Sequence, residues 1–286
     1  MKSGFVAVAG RPNVGKSTLV NALCGEKIAI TSKVPNTTRR RLFGIANGVD
    51  YQLALVDLPG FQRPIDALTE RMQQTVDTSF DDVDAVLLVV DARVRIGAGD
   101  RFVARRVFGL EKPVIIALNK IDRLKPGHIA SQMKVAATLG DFHALHPVSA
   151  LTKDGVAELR SDLVFLLPEG PAYFDREQAT DLEVEERVAE VIREKALHLT
   201  REEVPHALTV EVEALGEKSV RALLYVESQS QKGILVGKRG AMVREIGTRA
   251  RPEVEALVGR TVFLELVVKV RPKWRRDPQM LERLGL

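Results

Sequence analysis

The stretch Gly10-x4-Gly15-Lys16-Ser17 constrains this chain more than any other. It follows the apolar run Phe5–Ala9 and leads into the helical pattern Lys16–Cys24. A glycine-rich turn between strand and helix lets backbone N–H groups curl around phosphate oxygens, and the helix N-terminus adds a favourable dipole. Gly10, Asn13, Val14, Gly15, Lys16, Ser17 and Thr18 are therefore candidate phosphate-binding residues. Lys16 is expected to bridge the β- and γ-phosphates as a point charge, and the Ser17 hydroxyl to ligate Mg2+. A strand-to-helix turn with a chance lysine is the alternative, and the rest of the chain decides against it.

Apolar strand patterns alternate with helical ones after this motif. Phe5–Ala9, Tyr51–Asp57, Ala85–Asp91, Val114–Asn119 and His143–Val148 read as strands, and Lys16–Cys24, Gly99–Phe108, Gly127–Leu139 and Lys153–Leu167 as helices. Such alternation predicts an α/β domain with a mostly parallel sheet covered on both faces, and with the Gly10–Ser17 motif a P-loop NTPase, which the family resemblance drawn below narrows to a Ras-like G domain. Arg41–Asn47 and Tyr51–Asp57 flank Gly48-Val49-Asp50, so they are expected to form an antiparallel hairpin at the sheet edge.

Leu167-Pro168-Glu169-Gly170-Pro171 breaks the pattern. The expected division is a nucleotide-binding domain over 1–170, a linker over 171–180 and a second domain over 181–286. Leu182–Leu199, Gln231–Val236 and Ala241–Leu257 read as helices, and Ala207–Ala214, Val220–Ser228 and Thr261–Val270 as strands, giving the order α-β-β-α-α-β. Charge is uneven across this half. Residues 171–230 carry a net −7, while 231–276 carry +8, although the whole chain is only +4. A local basic block points to a polyanionic partner more strongly than the total does. The longest apolar run, Ala85–Val90, is far below the roughly 20 residues that span a bilayer, and Phe5–Ala9 is too short for an export signal. The single cysteine, Cys24, sits in an apolar helical pattern and reads as a core thiol. A chain without disulfides fits the cytoplasm.

Further polar motifs close the first-half strands. Asp57-Leu58-Pro59-Gly60 offers a carboxylate for Mg2+ through a water and an N–H at Gly60 for the γ-phosphate. Asn119-Lys120-Ile121-Asp122 reads the base: Asp122 can accept both guanine N1–H and N2–H2, donors that adenine lacks. That carboxylate argues against an ATP-using P-loop kinase. Lys120 is expected along the base or sugar, Asn119 as a brace on the P-loop, and Ser149-Ala150 as a backbone donor to guanine O6. The polar loop Thr31–Arg41 is placed to close on Mg2+ and γ-phosphate, with Thr38 the first choice and Thr37 the second. The metal set is thus Ser17, Thr38 and Asp57, and the catalytic set Lys16, Thr38, Gly60 and Asn13.

These elements, in this order, resemble the Era-type GTPases. Pro35-Asn36-Thr37-Thr38-Arg39 carries the resemblance in the first half. Arg193-Glu194-Lys195, Thr200–His206, Gln231-Lys232-Gly233-Ile234, Leu264–Val270 and Trp274-Arg275-Arg276-Asp277 carry it in the second. Leu58 stands where threonine is usual, and Phe61-Gln62 is bulkier than the family's pattern. The resemblance implies a GTPase binding the 3′ end of 16S ribosomal RNA in small-subunit (30S) assembly, with bound GTP or GDP and Mg2+, acting as a cytoplasmic monomer. It also implies that the second half is a type II KH domain with α+β fold, whose Gly237-Lys238-Arg239-Gly240 turn meets a single strand. Ile234, Gly237, Lys238, Arg239, Gly240, Arg244, Lys273, Trp274 and Arg275 are the expected RNA contacts, Trp274 supplying a ring for stacking. Ile234, Val236, Val243 and Ile246 are an apolar floor for bases or ordinary core. Phe61 cannot orient water, so turnover is expected to be slow, and Asn13 is a candidate to hold K+ beside the phosphates. The competing reading sets the basic block on anionic lipid, as a membrane-associated signalling GTPase with peripheral contact to the inner face of the cell membrane.

Overall fold

A computed structural model describes residues 1–32, 34 and 36–286, and the chain divides into two compact units. Lys33 and Pro35, both in the loop expected to close on γ-phosphate, lie outside the described residues.

The first unit is built on a six-stranded sheet. In chain order its elements are β1 (Lys2–Ala9), α1 (Lys16–Cys24), β2 (Leu42–Asn47), β3 (Tyr51–Asp57), α2 (Ala67–Thr78), β4 (Ala85–Asp91), α3 (Ala98–Phe108), β5 (Val114–Asn119), α4 (Pro126–Ala136), β6 (Ala144–Val148) and α5 (Val156–Leu166). The strand order is β2-β3-β1-β4-β5-β6, and only the β2–β3 pair is antiparallel. β4 and β5 are apolar at nearly every position because both faces of a parallel sheet are covered. Alternation along β1 divides the core. Val6 and Val8 pack with Leu19, Leu23 and Leu159 of α1 and α5, whereas Ala7 and Ala9 pack with Val76, Val103 and Val107 of α2 and α3. Cys24 borders this core, and burial pushes its thiol up to about 12, so it is an inert packing group.

Register then aligns the strand ends. Val8 is opposite Asp57, Asp91 opposite Asn119, and Asn119 opposite Val148. Every polar motif therefore emerges along the carboxyl edge of the sheet, where open α/β sheets bind ligands.

Residues 171–180, where the Pro/Gly pattern predicts a linker, are held by β2 and β3. Ile45 N–H donates to Ala179 O at 2.9 Å, and Gln52 Oε1 accepts from the N–H groups of Tyr173 and Phe174. Phe5, Phe43, Tyr173 and Phe174 form one aromatic cluster. The edge strand β2 would otherwise present unpaired backbone groups, and this segment covers part of that edge.

The second unit contains α6 (Val184–Leu199), α7 (Val204–Ala207), β7 (Thr209–Leu215), β8 (Ser219–Val226), α8 (Gln229–Val236), α9 (Ala241–Val258), β9 (Phe263–Val270) and α10 (Pro278–Arg283). Its sheet runs β7-β8-β9, with β8–β9 parallel. Val188, Ile192, Leu224, Leu235, Ile246 and Val254 are fully buried in its core. Ile30, Thr31, Ser32 and Ile65–Leu68 group with this unit, the last stretch including the first two residues of α2, whose remainder belongs to the first unit. Glu194 accepts from Thr31 N–H at 2.9 Å, and the Thr31 carbonyl meets His198 Nε2 at 2.9 Å.

Trp274 corrects one expectation. Its ring is fully buried and its Nε1–H donates to Ala207 O at 2.7 Å, so it is a core anchor and not a platform for a base. Ile246 is likewise core, and Val236 and Val243 pack against that core; of the four expected floor residues only Ile234 stands largely in solvent. Trp274→Ala should cost about 3–5 kcal/mol in the stability of the second unit, read as a fall in the urea midpoint.

Candidate functional site

The turn Gly10–Gly15 is possible because neighbouring atoms leave no room for side chains. A Cβ at Gly10 (φ 155°) would stand 2.6 Å from the Val89 carbonyl oxygen, and one at Gly15 (φ 98°) 2.4 Å from Asn119 Nδ2. Gly60 is equally tight, with a Cβ position 2.8 Å from Pro12 N. Its backbone therefore runs directly against the phosphate turn, which suits an N–H aimed at a γ-phosphate. Lys16 folds back over the turn, its Nζ donating to the carbonyls of Gly10 (3.2 Å) and Arg11 (3.1 Å). Burial lowers its pKa to about 8, against the attraction of Asp57. A phosphate in the turn would supply the negative charge this buried ammonium lacks. Val14 is buried beneath the turn, and Thr18 is half-buried on α1.

Ser17, Thr38 and Asp57 converge from three elements. The Ser17 hydroxyl lies 2.9 Å from that of Thr38 and donates to Asp57 Oδ2 at 2.7 Å, and Thr38 donates to the same oxygen at 3.3 Å. Asp57 is fully buried, which raises its pKa, while Lys16 and the two hydroxyls oppose the rise. Its second oxygen, Oδ1, is buried and accepts no hydrogen bond. An orphaned buried carboxylate oxygen beside two hydroxyls is the hard oxygen set that Mg2+ selects. Among the described residues no cluster of three or more His, Cys, Asp or Glu exists that could hold a metal.

The base-reading motifs also meet. Asn119 Nδ2 donates to Val14 O at 3.0 Å, and its Oδ1 accepts from Lys120 N–H (2.8 Å) and Ala150 N–H (3.0 Å). Asp122 Oδ1 accepts from the Ser149 hydroxyl at 2.9 Å. Lys120 occupies the left-handed region (φ 72°), and its Nζ bonds to the Asn13 carbonyl and, at 2.7 Å, to Asp91 Oδ2. Asp91 does not stand out in the sequence. It closes β4 just as Asp57 closes β3, and that placement is its signal. Burial pushes its pKa up, but bonds from Arg93 and Lys120 outweigh this and hold it below the usual carboxylate range.

Phe61 is buried and stacked on Phe80 with centroids 6.0 Å apart. Gln62 turns to the Met72 sulfur, 3.8 Å away. With Arg11 and Pro12 of the phosphate turn, both residues line a hollow of about 440 Å³.

In the second unit α8 ends at Gly237, whose φ 73°, ψ 173° only glycine adopts readily; a Cβ there would meet Met242 N at 2.8 Å. Arg239 (φ 52°) and Gly240 (φ 77°) complete the turn, and around Gly240 the space is open. Lys238, Arg239 and Arg244 are exposed and carry no ion pair among the described residues. They stand at the start of the 18-residue α9, so backbone N–H groups and cations share one approach. Lys273 is exposed, but the Arg275 guanidinium is already gripped by the buried Asp66 carboxylate, which weakens its expected role in RNA contact.

Fold and site together define a P-loop GTPase joined to a KH domain. Residues 5–120 match the family described as 50S ribosome-binding GTPase, and residues 203–275 match the KH domain. The chain is 41% identical to GTPase Era of Heliobacterium modesticaldum, over all of this chain and 97% of that protein. It is 42% identical to GTPase Era of Carboxydothermus hydrogenoformans, over 99% and 97%. A crystal structure of an Aquifex aeolicus Era variant bound to GDP and AlF4− superposes with a TM-score of 0.95 at 36% identity, covering 100% of this chain and 99% of that one. A second crystal structure, of Era with MgGDPNP and nucleotides 1506–1542 of 16S ribosomal RNA, gives 0.93 at 36% identity with the same coverage. The chain belongs to the Era family of GTPases.

Asp91→Ala should free the Lys120 ammonium and weaken GTP binding by about tenfold to a hundredfold, the worth of a charge-assisted hydrogen bond of roughly 1.5–3 kcal/mol. Titration with a fluorescent guanine nucleotide checks this, with an unchanged melting temperature showing that the fold is intact.

Proposed function

We propose that this protein hydrolyses GTP and binds the 3′ end of 16S ribosomal RNA during small-subunit assembly, as a monomer in the cytoplasm. The observation that carries the reading is the pairing, in one chain, of the convergent Ser17–Thr38–Asp57 and Asn119–Asp122–Ser149 clusters with an open, cationic Gly237–Gly240 turn. The relative crystallised with nucleotides 1506–1542 of 16S ribosomal RNA supports the choice of target.

Each residue then has a physical task. The backbone N–H groups of the 10–15 turn, Pro12 apart, would cradle the phosphates, with Lys16 over the β- and γ-oxygens. Ser17, Thr38 and Asp57 would hold Mg2+, which neutralises charge on the transferring phosphoryl group. Gly60 offers its N–H to the γ-phosphate. Asp122 selects guanine, held by Ser149; Ala150 N–H is shared between Asn119 and the base edge. Phe61, which follows Gly60, is a phenyl ring stacked on Phe80, and Gln62 is bonded to the Met72 sulfur; on that basis intrinsic turnover is slow. Asn13, exposed in the phosphate turn, would help hold K+ as an added positive charge beside the phosphates. On that basis turnover is faster in K+ than in Na+ at matched ionic strength; equal rates remove the role.

RNA contact rests on Ile234, Gly237, Lys238, Arg239, Gly240, Arg244 and Lys273. The close backbone approach at Gly240 suits a single strand of phosphates more than a lipid surface, which needs no such turn. No described helix is long and apolar enough to cross a membrane. In the full chain, Lys238→Asp/Arg239→Asp should reduce affinity for a 3′-terminal 16S oligonucleotide by at least about tenfold while sparing GTP binding. Sedimentation with anionic vesicles is the counter-test: loss of vesicle binding with oligonucleotide affinity intact would favour the membrane reading.

A further inference from the structure

The stretch from Arg93 to Phe108 in the first unit carries five arginines, Arg93, Arg95, Arg101, Arg105 and Arg106, against one acid, Asp100. The nucleotide site uses none of them directly. Arg93 grips Asp91 at 2.9 Å, Arg106 grips Asp77 at 2.7 Å, and Asp100 is taken by Arg11 at 2.9 Å. Arg95, Arg101 and Arg105 are exposed, and none of the three has an ion pair among the described residues.

Arg101 and Arg105 lie four residues apart on α3 and so share a face. Like charges at this spacing repel, so the pair does not serve the helix itself. Between them and the end of α4 the surface is concave. A hollow of about 350 Å³ is lined by Ala98, Arg101, Arg105, Thr138 and Leu139. The Thr138 hydroxyl proton is already given to Val135 O at 2.8 Å, so the donors free to meet a ligand are the two guanidinium forks. Lys134, near the end of α4 and also exposed without an ion pair among the described residues, lies four residues before Thr138 in the chain.

The donor chemistry selects an anion with several oxygens, and the geometry of two forks suits phosphate. The lining offers no aromatic ring and no amide, so nothing there stacks on or reads a base. A ligand recognised through its backbone alone is a base-paired segment and not a splayed single strand. We propose that Arg101 and Arg105 form a second ribosomal RNA contact, on the GTP-binding unit, which takes the phosphodiester backbone of a paired rRNA segment. The inference rests on the proposed RNA-binding function and adds a site separate from the Gly237–Gly240 turn.

The test uses the full chain with Arg101→Ala/Arg105→Ala and three probes: purified 30S subunits, protein-free 16S rRNA and the single-stranded 3′-terminal oligonucleotide. GTP affinity, melting temperature and oligonucleotide binding should stay as in the wild type. Affinity for 30S subunits and for 16S rRNA should fall about tenfold near 0.1 M salt, and the slope of log K against log salt should flatten by about 1 for each phosphate no longer neutralised. Unchanged affinity and slope on both large probes would overturn the proposal. So would a loss confined to 30S subunits, which would put the contact on a ribosomal protein. A wild-type chain that binds neither the oligonucleotide nor the subunit would strike the RNA function itself, and this site with it.

Discussion

One buried amide joins the parts of the nucleotide site. Asn119 donates to the P-loop at Val14 O and accepts from Lys120 and Ala150, so a single side chain holds three loops in register. It is 1% exposed. Each such bond contributes about 1 kcal/mol net, but a buried partner left unsatisfied costs about 1–3 kcal/mol, so the three bonds stand or fall together. The arrangement also explains Gly15. Only a residue without a Cβ lets the P-loop backbone come this close to the Asn119 amide. The parallel register of the sheet places Asn119 level with Asp91 and Val148, and the loops that follow inherit that alignment.

Charge in the site is incomplete as it stands. Lys16 is buried with two backbone carbonyls and a desolvated aspartate for company. Asp57 commits one oxygen to two hydroxyls and leaves the other unbonded. Both groups are costly to bury in this condition, and both are completed by what a magnesium nucleotide brings, namely phosphate oxygens for the lysine and a cation for the carboxylate. Preorganised donors and acceptors of this kind lower the reorganisation needed when the phosphoryl group transfers. The neighbouring Phe61 contributes packing instead of chemistry, being stacked into the core of the first unit.

Much of this was legible in the residues. Strands β1, β3, β4 and β5 read directly because a parallel sheet buried on both faces leaves continuous apolar runs. The α-β-β-α-α-β order of the second unit followed from its periodicity. α2 did not stand out, since its buried residues Leu68, Met72 and Val76 form a stripe only one residue wide on an otherwise polar helix. Residues 171–180 carry the composition of a linker, yet aromatic rings and a glutamine distant in sequence hold them against β2 and β3. A single tryptophan in a basic stretch resembles a stacking platform; its burial depends on Ala207, which lies 67 residues earlier.

The sequence by itself determined the phosphate turn, the guanine-reading carboxylate and the two-part architecture. Each is written in local residue types at fixed spacing, because backbone approach, helix start and donor–acceptor pattern are short-range requirements. Only the tertiary structure decided that Asp91 anchors Lys120, that Trp274 is core, that Phe61 stacks in the core and that Arg101 and Arg105 line a hollow with no carboxylate partner among the described residues. Those outcomes depend on which strand ends lie level and which side chains remain unpaired after packing. The opening Gly10–Ser17 motif shows both sides: its glycines announced a phosphate cradle, and contact with Val89 and Asn119 showed why nothing larger would fit.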